Sequence, residues 1–246
     1  MDRLTTIART AMRGTMARQA AVANNLANVN TTGFRAEIAN ASTRWVGGGA
    51  LQSRAEQVGQ VIAADMKSGT AVQTGNPLDI AVDGDALIAV QANDGSEAYT
   101  RRGDLKLSES GLLTTGDGYP VLGEGGPITL PPADSINIAK DGGIWIVPQG
   151  GQVDQPQQVD TIKLVNAKGS VIAKSTDTLF REVNGGALPQ DPIASVTSGA
   201  LEGSNVNATM ALVQMIEASR AWEHQIKMID TAKDIDSSGA SLMRLD

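Results

Sequence analysis

Cysteine is absent from this 246-residue chain, and histidine occurs once, at His224. Disulfides, thiolate zinc sites, a cysteine nucleophile and any multi-histidine metal centre are thereby excluded. A serine–histidine–aspartate arrangement would depend on His224, which sits in Ala221-Trp222-Glu223-His224-Gln225-Ile226-Lys227, a charged helical pattern that reads as a solvated helix face. Aromatic residues make up 3% of the chain, so its core must be built from aliphatic side chains. No apolar run approaches the roughly 20 residues needed to span a membrane. The start also lacks the continuous apolar stretch and small-residue cleavage site of a secretory signal. Neither a P-loop nor a dinucleotide fingerprint occurs, and no cofactor is expected. Acids are scarce early in the chain: through residue 55, seven arginines (Arg3, Arg9, Arg13, Arg18, Arg35, Arg44, Arg54) face only Asp2 and Glu37. That segment is +5 in a chain of net −7, which leaves −12 for the rest. The arginines are spaced singly and without interleaved aromatics, which argues against nucleic-acid binding and leaves docking onto an acidic partner.

What is present divides by period. From Leu4 to about Val29 the composition is Ala, Arg, Met, Gln and Leu, all good helix formers. Leu4, Ala8, Ala11, Thr15, Val22, Leu26 and Val29 form a narrow seam at helical spacing. Asn28-Val29-Asn30-Thr31-Thr32-Gly33 then stops the helix. Residues 34–75 read as extended or irregular, with Gly47-Gly48-Gly49 as a joint and one short strand around Val61 and Ile62. From about Asn76 the period becomes two: Leu78, Ile80 and Val82 alternate, as do Leu105 and Leu107, Ile128 and Leu130, Ile136 and Ile138, Ile144 and Ile146, and Ile162 and Leu164. Asp94-Gly95, Ser110-Gly111, Asp117-Gly118, Asp141-Gly142 and Asn184-Gly185 punctuate them, predicting an all-β sandwich or irregular barrel. From Asn205 the helical period returns, with Leu212, Met215, Ser219, Trp222, Ile226 and Ile229 as a heptad-type seam broadened by Val213, Ile216, Met228 and Ile235. Ser204 or Asn205 is expected to cap this helix and Gly239 to stop it. The fold class is therefore α+β: terminal helices forming a coiled-coil-like element, with an inserted all-β domain. The segments are 1–33, 34–75, 76–200 and 201–246.

The terminal helices have more apolar surface than a single pairing covers. Periodicity alone admits two readings, a two-helix coat on a monomeric β-domain or termini that order when several copies pack. Two long motifs decide between them. Ala23-Asn24-Asn25-Leu26-Ala27-Asn28-Val29-Asn30-Thr31-Thr32-Gly33-Phe34-Arg35 resembles the N-terminal signature of the flagellar rod and hook family. Leu201-Glu202-Gly203-Ser204-Asn205-Val206-Asn207, followed by Met215-Ile216 and Arg220-Ala221-Trp222-Glu223, resembles its C-terminal signature. Thr32 stands where a proline is common and Trp222 where another aromatic is usual; both keep the local chemistry. In the middle, Pro77 to Asp85, Ala98 to Leu105 and Gly118 to Gly123 are similar to the proximal- and distal-rod members. The length, Gly103-Asp104-Leu105 after the arginines and the Gly123-Glu124-Gly125-Gly126-Pro127 loop favour the proximal one. The distal rod and the hook are the alternatives.

The resemblance implies a non-enzymatic structural subunit of the basal-body rod, the periplasm-crossing drive shaft of motility, passed through the type III export apparatus without a cleavable signal. It implies contacts with other rod subunits and with copies of itself. Leu4, Ile7, Ala11, Val22 and Leu26 would pack on a seam of Leu212, Met215, Trp222, Ile226 and Ile229 in the same and adjacent chains. Asn24, Asn25 and Asn28 would satisfy backbone groups. Gly33 would end the helix and Phe34 anchor the exit. Leu201, Glu202, Gly203, Asn205, Val206 and Asn207 complete the interface. The basic N-terminal arm is expected to meet an acidic C-terminal helix, which carries seven acids against four basic residues over 201–246.

Other motifs are weaker. Arg102-Gly103-Asp104 is an adhesive tripeptide, here within a turn pattern. Asn30, Asn40 and Asn207 begin glycosylation sequons, and Asp83-Gly84-Asp85 lacks the further ligands of a calcium loop. The competing reading from another class is a glycan-acting β-domain using Asp83 and Asp104 as paired carboxylates.

Overall fold

A computed structural model describes residues 2–45, 55–150, 156–175 and 177–242, with side chains for 9–38, 63–150, 156–175, 177–235 and 237–238. The Gly47-Gly48-Gly49 joint lies outside the described residues. The fold is α+β, two terminal helices and a large β-rich region, arranged as two compact units.

The first unit comprises Met1–Ala27, Glu37–Ala63 and Asn207–Asp246. Its helices are α1 (Asp2–Ala27) and α2 (Ala208–Leu242), and α1 also packs on β1 (Glu37–Trp45), which pairs with β2 (Ala55–Ala64). Residues 34–75 are thus more regular than expected: β1 and β2 are long strands, where one short strand was anticipated. Alternation in Glu37–Trp45 is masked by small and polar side chains, so hydrophobic period could not reveal it.

The helices pack on each other, and Gln225 Nε2 donates to Thr15 Oγ1 at 2.8 Å. Phe34 and Ala36 bond to Asn205, which tethers the end of α1 near the start of α2. Gln225 lies about 26 Å along α2 and Thr15 about 18 Å back from the end of α1, so only an antiparallel pair satisfies both constraints. The packed side of α2 is Ala211, Met215, Ala218, Trp222, Gln225, Ile229 and Ala232, at steps of four and three. The expected seam shares Met215, Trp222 and Ile229 with this side, and runs through Leu212, Ser219 and Ile226 where the pair uses Ala211, Ala218 and Gln225. Ala211 and Ala218 are the buried residues, and Leu212 and Ile226 lie outside the contact. Close helix approach favours alanine at the centre of the seam and displaces the larger side chains to its shoulder. Helix α2 also runs through Gly239 to Leu242. Glycine costs a helix interior only about 1 kcal/mol, too little to end it alone.

The second unit comprises Asn28–Ala36 and Ala64–Val206. After β3 (Ala71–Gln73) come β4 (Ile80–Val82), β5 (Ala86–Gln91), β6 (Glu97–Thr100), β7 (Leu105–Leu107) and β8 (Leu113–Thr115). There follow β9 (Ala133–Ile138), β10 (Gly143–Pro148), β11 (Gln157–Thr161), β12 (Leu164–Asn166), β13 (Ile172–Lys174), β14 (Phe180–Glu182), β15 (Val196–Ser198) and β16 (Ala200–Glu202). The main sheet has the order β12-β5-β6-β14-β13, and a second runs β11-β10-β9. The remaining pairs are β15-β4, β16-β3 and β7-β8. Asp94-Gly95, Ser110-Gly111 and Asp141-Gly142 turn the β5-β6, β7-β8 and β9-β10 hairpins, as their residue types require. One core gathers Ile80, Ile88, Leu113, Ile128, Ile144 and Ile162 with their neighbours; a second surrounds Tyr99 with Leu87, Val165, Phe180 and Leu188.

The Tyr99 hydroxyl donates to Glu97 Oε1 at 2.9 Å and accepts from the Leu188 N–H. Burial is the main cause that pushes its pKa up to about 12, with the Glu97 carboxylate adding to it and the Leu188 N–H opposing. A raised folded-state pKa favours the protonated form, so this contribution is fully present below the unfolded value near 10 and is lost as pH rises toward 12. Urea midpoints of the native protein should fall across that interval, and Tyr99→Phe should flatten the fall. A second expectation concerns Gly33, whose φ is +67° and whose added Cβ would overlap the Arg101 carbonyl. Gly33→Ala should cost about 1–3 kcal/mol for the overlap on top of about 1–2 for the left-handed backbone. At Gly95 (φ +81°) the space is open, so Gly95→Ala should incur only the backbone part in the same urea titration.

Candidate assembly surface

In the second unit, three charged side chains from distant parts of the sequence meet in a buried site. Arg101 follows Tyr99 by two residues and Glu202 follows Ala200 by two, so strand alternation carries both charges inward with their apolar neighbours. Glu202 Oε1 accepts from Arg35 Nη2 at 2.8 Å and from the Gly69 N–H at 2.7 Å. Its Oε2 accepts from Arg101 Nε at 2.9 Å and Nη2 at 2.8 Å. Arg101 also donates to the carbonyls of Val82, Gly84 and Ala86. Residue exposure is 1% for each arginine and 3% for Glu202. Burial pushes the Arg101 pKa down, and the Glu202 carboxylate acts against that shift. One carboxylate is therefore shared by two guanidinium groups in a buried site.

Both signature motifs are organised around this cluster. The Gly33 N–H donates to the Glu202 carbonyl at 2.7 Å, and Phe34 N–H returns to Thr31 O at 3.2 Å. Phe34 is buried beneath Lys174, whose Nζ lies 3.5 Å from the ring centroid and donates to Arg35 O at 3.1 Å. Asn28 accepts from the Thr31 hydroxyl at 3.1 Å. Asn205 Oδ1 accepts from Ala36 N–H at 2.7 Å, while its Nδ2 donates to the carbonyls of Asp65 (2.8 Å) and Lys67 (2.9 Å). Leu201 pairs with Val72 between β16 and β3, Gly203 N–H donates to Thr70 O at 2.9 Å, and Val206 is half-buried.

The other candidates fall in the first unit. Asn24 Nδ2 donates to Glu37 Oε1 at 2.6 Å; Asn25 exchanges two bonds with the Glu37 backbone, at 2.9 and 2.7 Å. Ala11, Val22 and Leu26 are wholly or partly buried along α1, as are Met215, Trp222 and Ile229 along α2. The side chains of Leu4 and Ile7 lie outside the described residues. Asn207, and neither Ser204 nor Asn205, caps α2: its Oδ1 accepts from Met210 N–H at 3.0 Å. Asn205 is diverted by its three bonds in the second unit. The packed helix pair leaves α2 with apolar residues on its remaining sides. Met210, Leu212, Val213, Ile216, Met228 and Ile235 are each half or more exposed, and Ile226 somewhat less.

Sequence reasoning missed Arg35, Arg101 and Glu37 as organising residues. The available signal was parity, since a charge at an inward strand position must find a buried partner. The weaker motifs resolve into local structure. Arg102 forks onto Asp104 (2.6 and 2.9 Å) and Asp117 (2.6 Å), which occupies the ends of the Arg102-Gly103-Asp104 tripeptide. Asp83 accepts from Ser195 and Thr197 hydroxyls, so Asp83 and Asp104 each have local partners. A shallow groove of about 520 Å³, lined by Gln91, Glu97, Leu122, Lys163 and Gln190, contains neither. Among the described residues no cluster of three His, Asp or Glu could hold a metal, and no helix is long and apolar enough to cross a membrane.

Known proteins resemble the chain along its whole length. Residues 6–35 match the model described as flagella basal body rod protein, 81–146 the flagellar hook protein FlgE/F/G D1 domain, and 197–242 the flagellar basal body rod FlgEFG protein C-terminal. The flagellar basal-body rod protein FlgF of Escherichia coli (strain K12) is 40% identical over 240 residues, covering 95% of each chain. FlgF of Salmonella typhimurium is 38% identical over 251 residues and 100% of each chain. FlgG of Bacillus subtilis (strain 168) is 34% identical over 246 residues, covering 91% of this chain and 92% of its own.

Removing the shared carboxylate should strand both arginines. Glu202→Gln is expected to cost about 3–5 kcal/mol in urea unfolding. Glu109→Gln, at an exposed position, should stay within about 0.5 kcal/mol of the parent.

Proposed function

Because the chain belongs to the flagellar basal-body rod family, we propose that α1 and α2 are the elements through which it polymerises. It is a FlgF-type structural subunit of the flagellar rod and not an enzyme, and its place is the flagellar basal body. The FlgG-type alternative has less support, the FlgG of Bacillus subtilis being 34% identical over 91% of the chain against 40% over 95% for the FlgF of Escherichia coli. Assembly with other rod proteins follows from the family.

The observation that carries the proposal is a set of large apolar side chains on α2 that lie outside its contact with α1. One side is covered by α1, yet Met210, Leu212, Val213, Ile216, Met228 and Ile235 remain open to solvent. Large apolar side chains exposed beyond the side that a partner helix covers mark an interaction surface, and here the cover is supplied by neighbouring subunits. The terminal helices then form a coiled-coil-like inner core of the rod, and the rod crosses the periplasm as the drive shaft. The assignment to the proximal rod rests on the FlgF-type middle segment, and passage through the type III export apparatus rests on the family role. The residues that carry the contacts are those of the two signatures and of the α2 faces.

Ile216 is exposed, so Ile216→Asp should leave the urea midpoint of the purified chain within about 0.5 kcal/mol of the parent. In a deletion strain the same variant should fail to restore swimming. Normal swimming with a carboxylate at position 216 would sink the assembly role of this face.

A further inference from the structure

Two unpartnered helix faces of the first unit match each other in kind and in axial order. On α1, the exposed residues Arg9, Arg13, Met16, Ala20, Ala23 and Ala27 recur at steps of four and three, a face at coiled-coil spacing turned away from α2. On α2, Leu212, Ile216, Glu223, Ile226 and Asp230 are exposed and fall on one stripe, with half-buried Ser219 completing the same steps. The first face is cationic at its N-terminal end and small and apolar toward its C-terminal end. The second is apolar at its N-terminal end and acidic further along, with Asp234 extending the acidic end. Lys227 and Lys233 lie about 60° to either side of it by helical spacing.

The bond between Thr15 and Gln225 sets the heights of these faces in the antiparallel pair. Counting outward from it, Arg9 and Arg13 stand level with residues 231 and 227, between Glu223 and Asp234. Ala23 and Ala27 stand level with residues 217 and 213, beside Ile216 and Leu212. A second copy placed alongside in the same direction, with little axial offset, therefore brings arginine to carboxylate and alanine to leucine and isoleucine. A copy placed in the opposite direction brings the arginines to Leu212 and Ile216 and desolvates them without a partner, which is costly.

We propose that the Arg9–Ala27 face of α1 in one copy seats on the Leu212–Asp230 face of α2 in a second copy of the same chain, side by side and codirectional. The proposal rests on the reading that the terminal helices mediate assembly, and adds the face, the partner and the register. Each copy offers both faces, so the contact is heterologous and repeats from copy to copy.

The absence of cysteine makes the test direct. Full-length Ala23→Cys and Ile216→Cys chains carrying different tags are mixed at concentrations where the protein sediments as an oligomer, and then oxidised. The expected result is a disulfide-linked band containing both tags. Ala23→Cys with Asp230→Cys, about 20 Å further along α2, should give none. Adding Arg13→Glu to the Ala23→Cys chain should reduce the mixed band at least ten-fold, and Asp230→Arg in the Ile216→Cys chain should restore it. Oligomers that lack the 23–216 band, or that favour the 23–230 pair, overturn this register while leaving terminal-helix assembly intact. A chain that stays monomeric at every concentration, and whose copies do not cross-link in cells, overturns the copy-to-copy contact together with the reading beneath it.

Discussion

A single buried carboxylate holds the second unit in register. Glu202 is shared by Arg35, before the first strand, and Arg101, in the middle of the chain, so it joins positions that no local motif connects. Two guanidinium groups cannot be left in a dry site without an anion, and one anion there needs nearly all its lone pairs occupied. Removing the carboxylate would therefore leave both guanidinium groups buried without their counter-charge. Once formed, it fixes the strand that leaves the N-terminal helix and the strand that enters the C-terminal one. Arg35 lies eight residues after α1, and Glu202 six residues before α2.

The first unit is organised by the opposite principle. Its helix pair satisfies one face of each partner with alanines, a tryptophan and a few aliphatic residues, and it spends its larger side chains elsewhere. Leu212, Val213 and Ile216 would have been the natural core of a closed two-helix element, yet they point away from it. The chain folds one half to completion and leaves the other half deliberately short of partners. This division matches a subunit whose β-unit is self-sufficient and whose helices become interior only in company.

Much of this was legible in the primary sequence. The switch from period 3.6 to period two and back located both helices and the β-rich middle, because burial of one face imposes those repeats. Hairpin turns at Asp94-Gly95 and Asp141-Gly142 were readable because only certain residues tolerate their backbone. The long strands β1 and β2 were not, since their alternation is carried by small and polar residues. Met215, Trp222 and Ile229 of the helix seam lie on its packed side, while Leu212 and Ile226 give way to Ala211 and Ala218, because hydrophobic size alone does not say which residues the close approach of two helices admits. The cap at Asn207 is not legible beside Ser204 and Asn205, because the three tertiary bonds that occupy Asn205 have no local signature. The Arg35–Glu202–Arg101 cluster was hidden for the same reason, although strand parity at Arg101 and Glu202 hinted at it.

The bonding of Asn205 has a mechanical corollary. The chain passes between its two units four times, after residues 27, 36, 63 and 206. Beside three of those crossings, Asn205 binds Ala36 and Asp65, and Asp65 N–H donates to Ala36 O at 2.7 Å. Three chain segments at the margin of the second unit are thus laced together within that unit at one amide side chain. A lone segment would peel away by turning about its own backbone dihedrals; a laced one must first shear hydrogen bonds that its neighbours share.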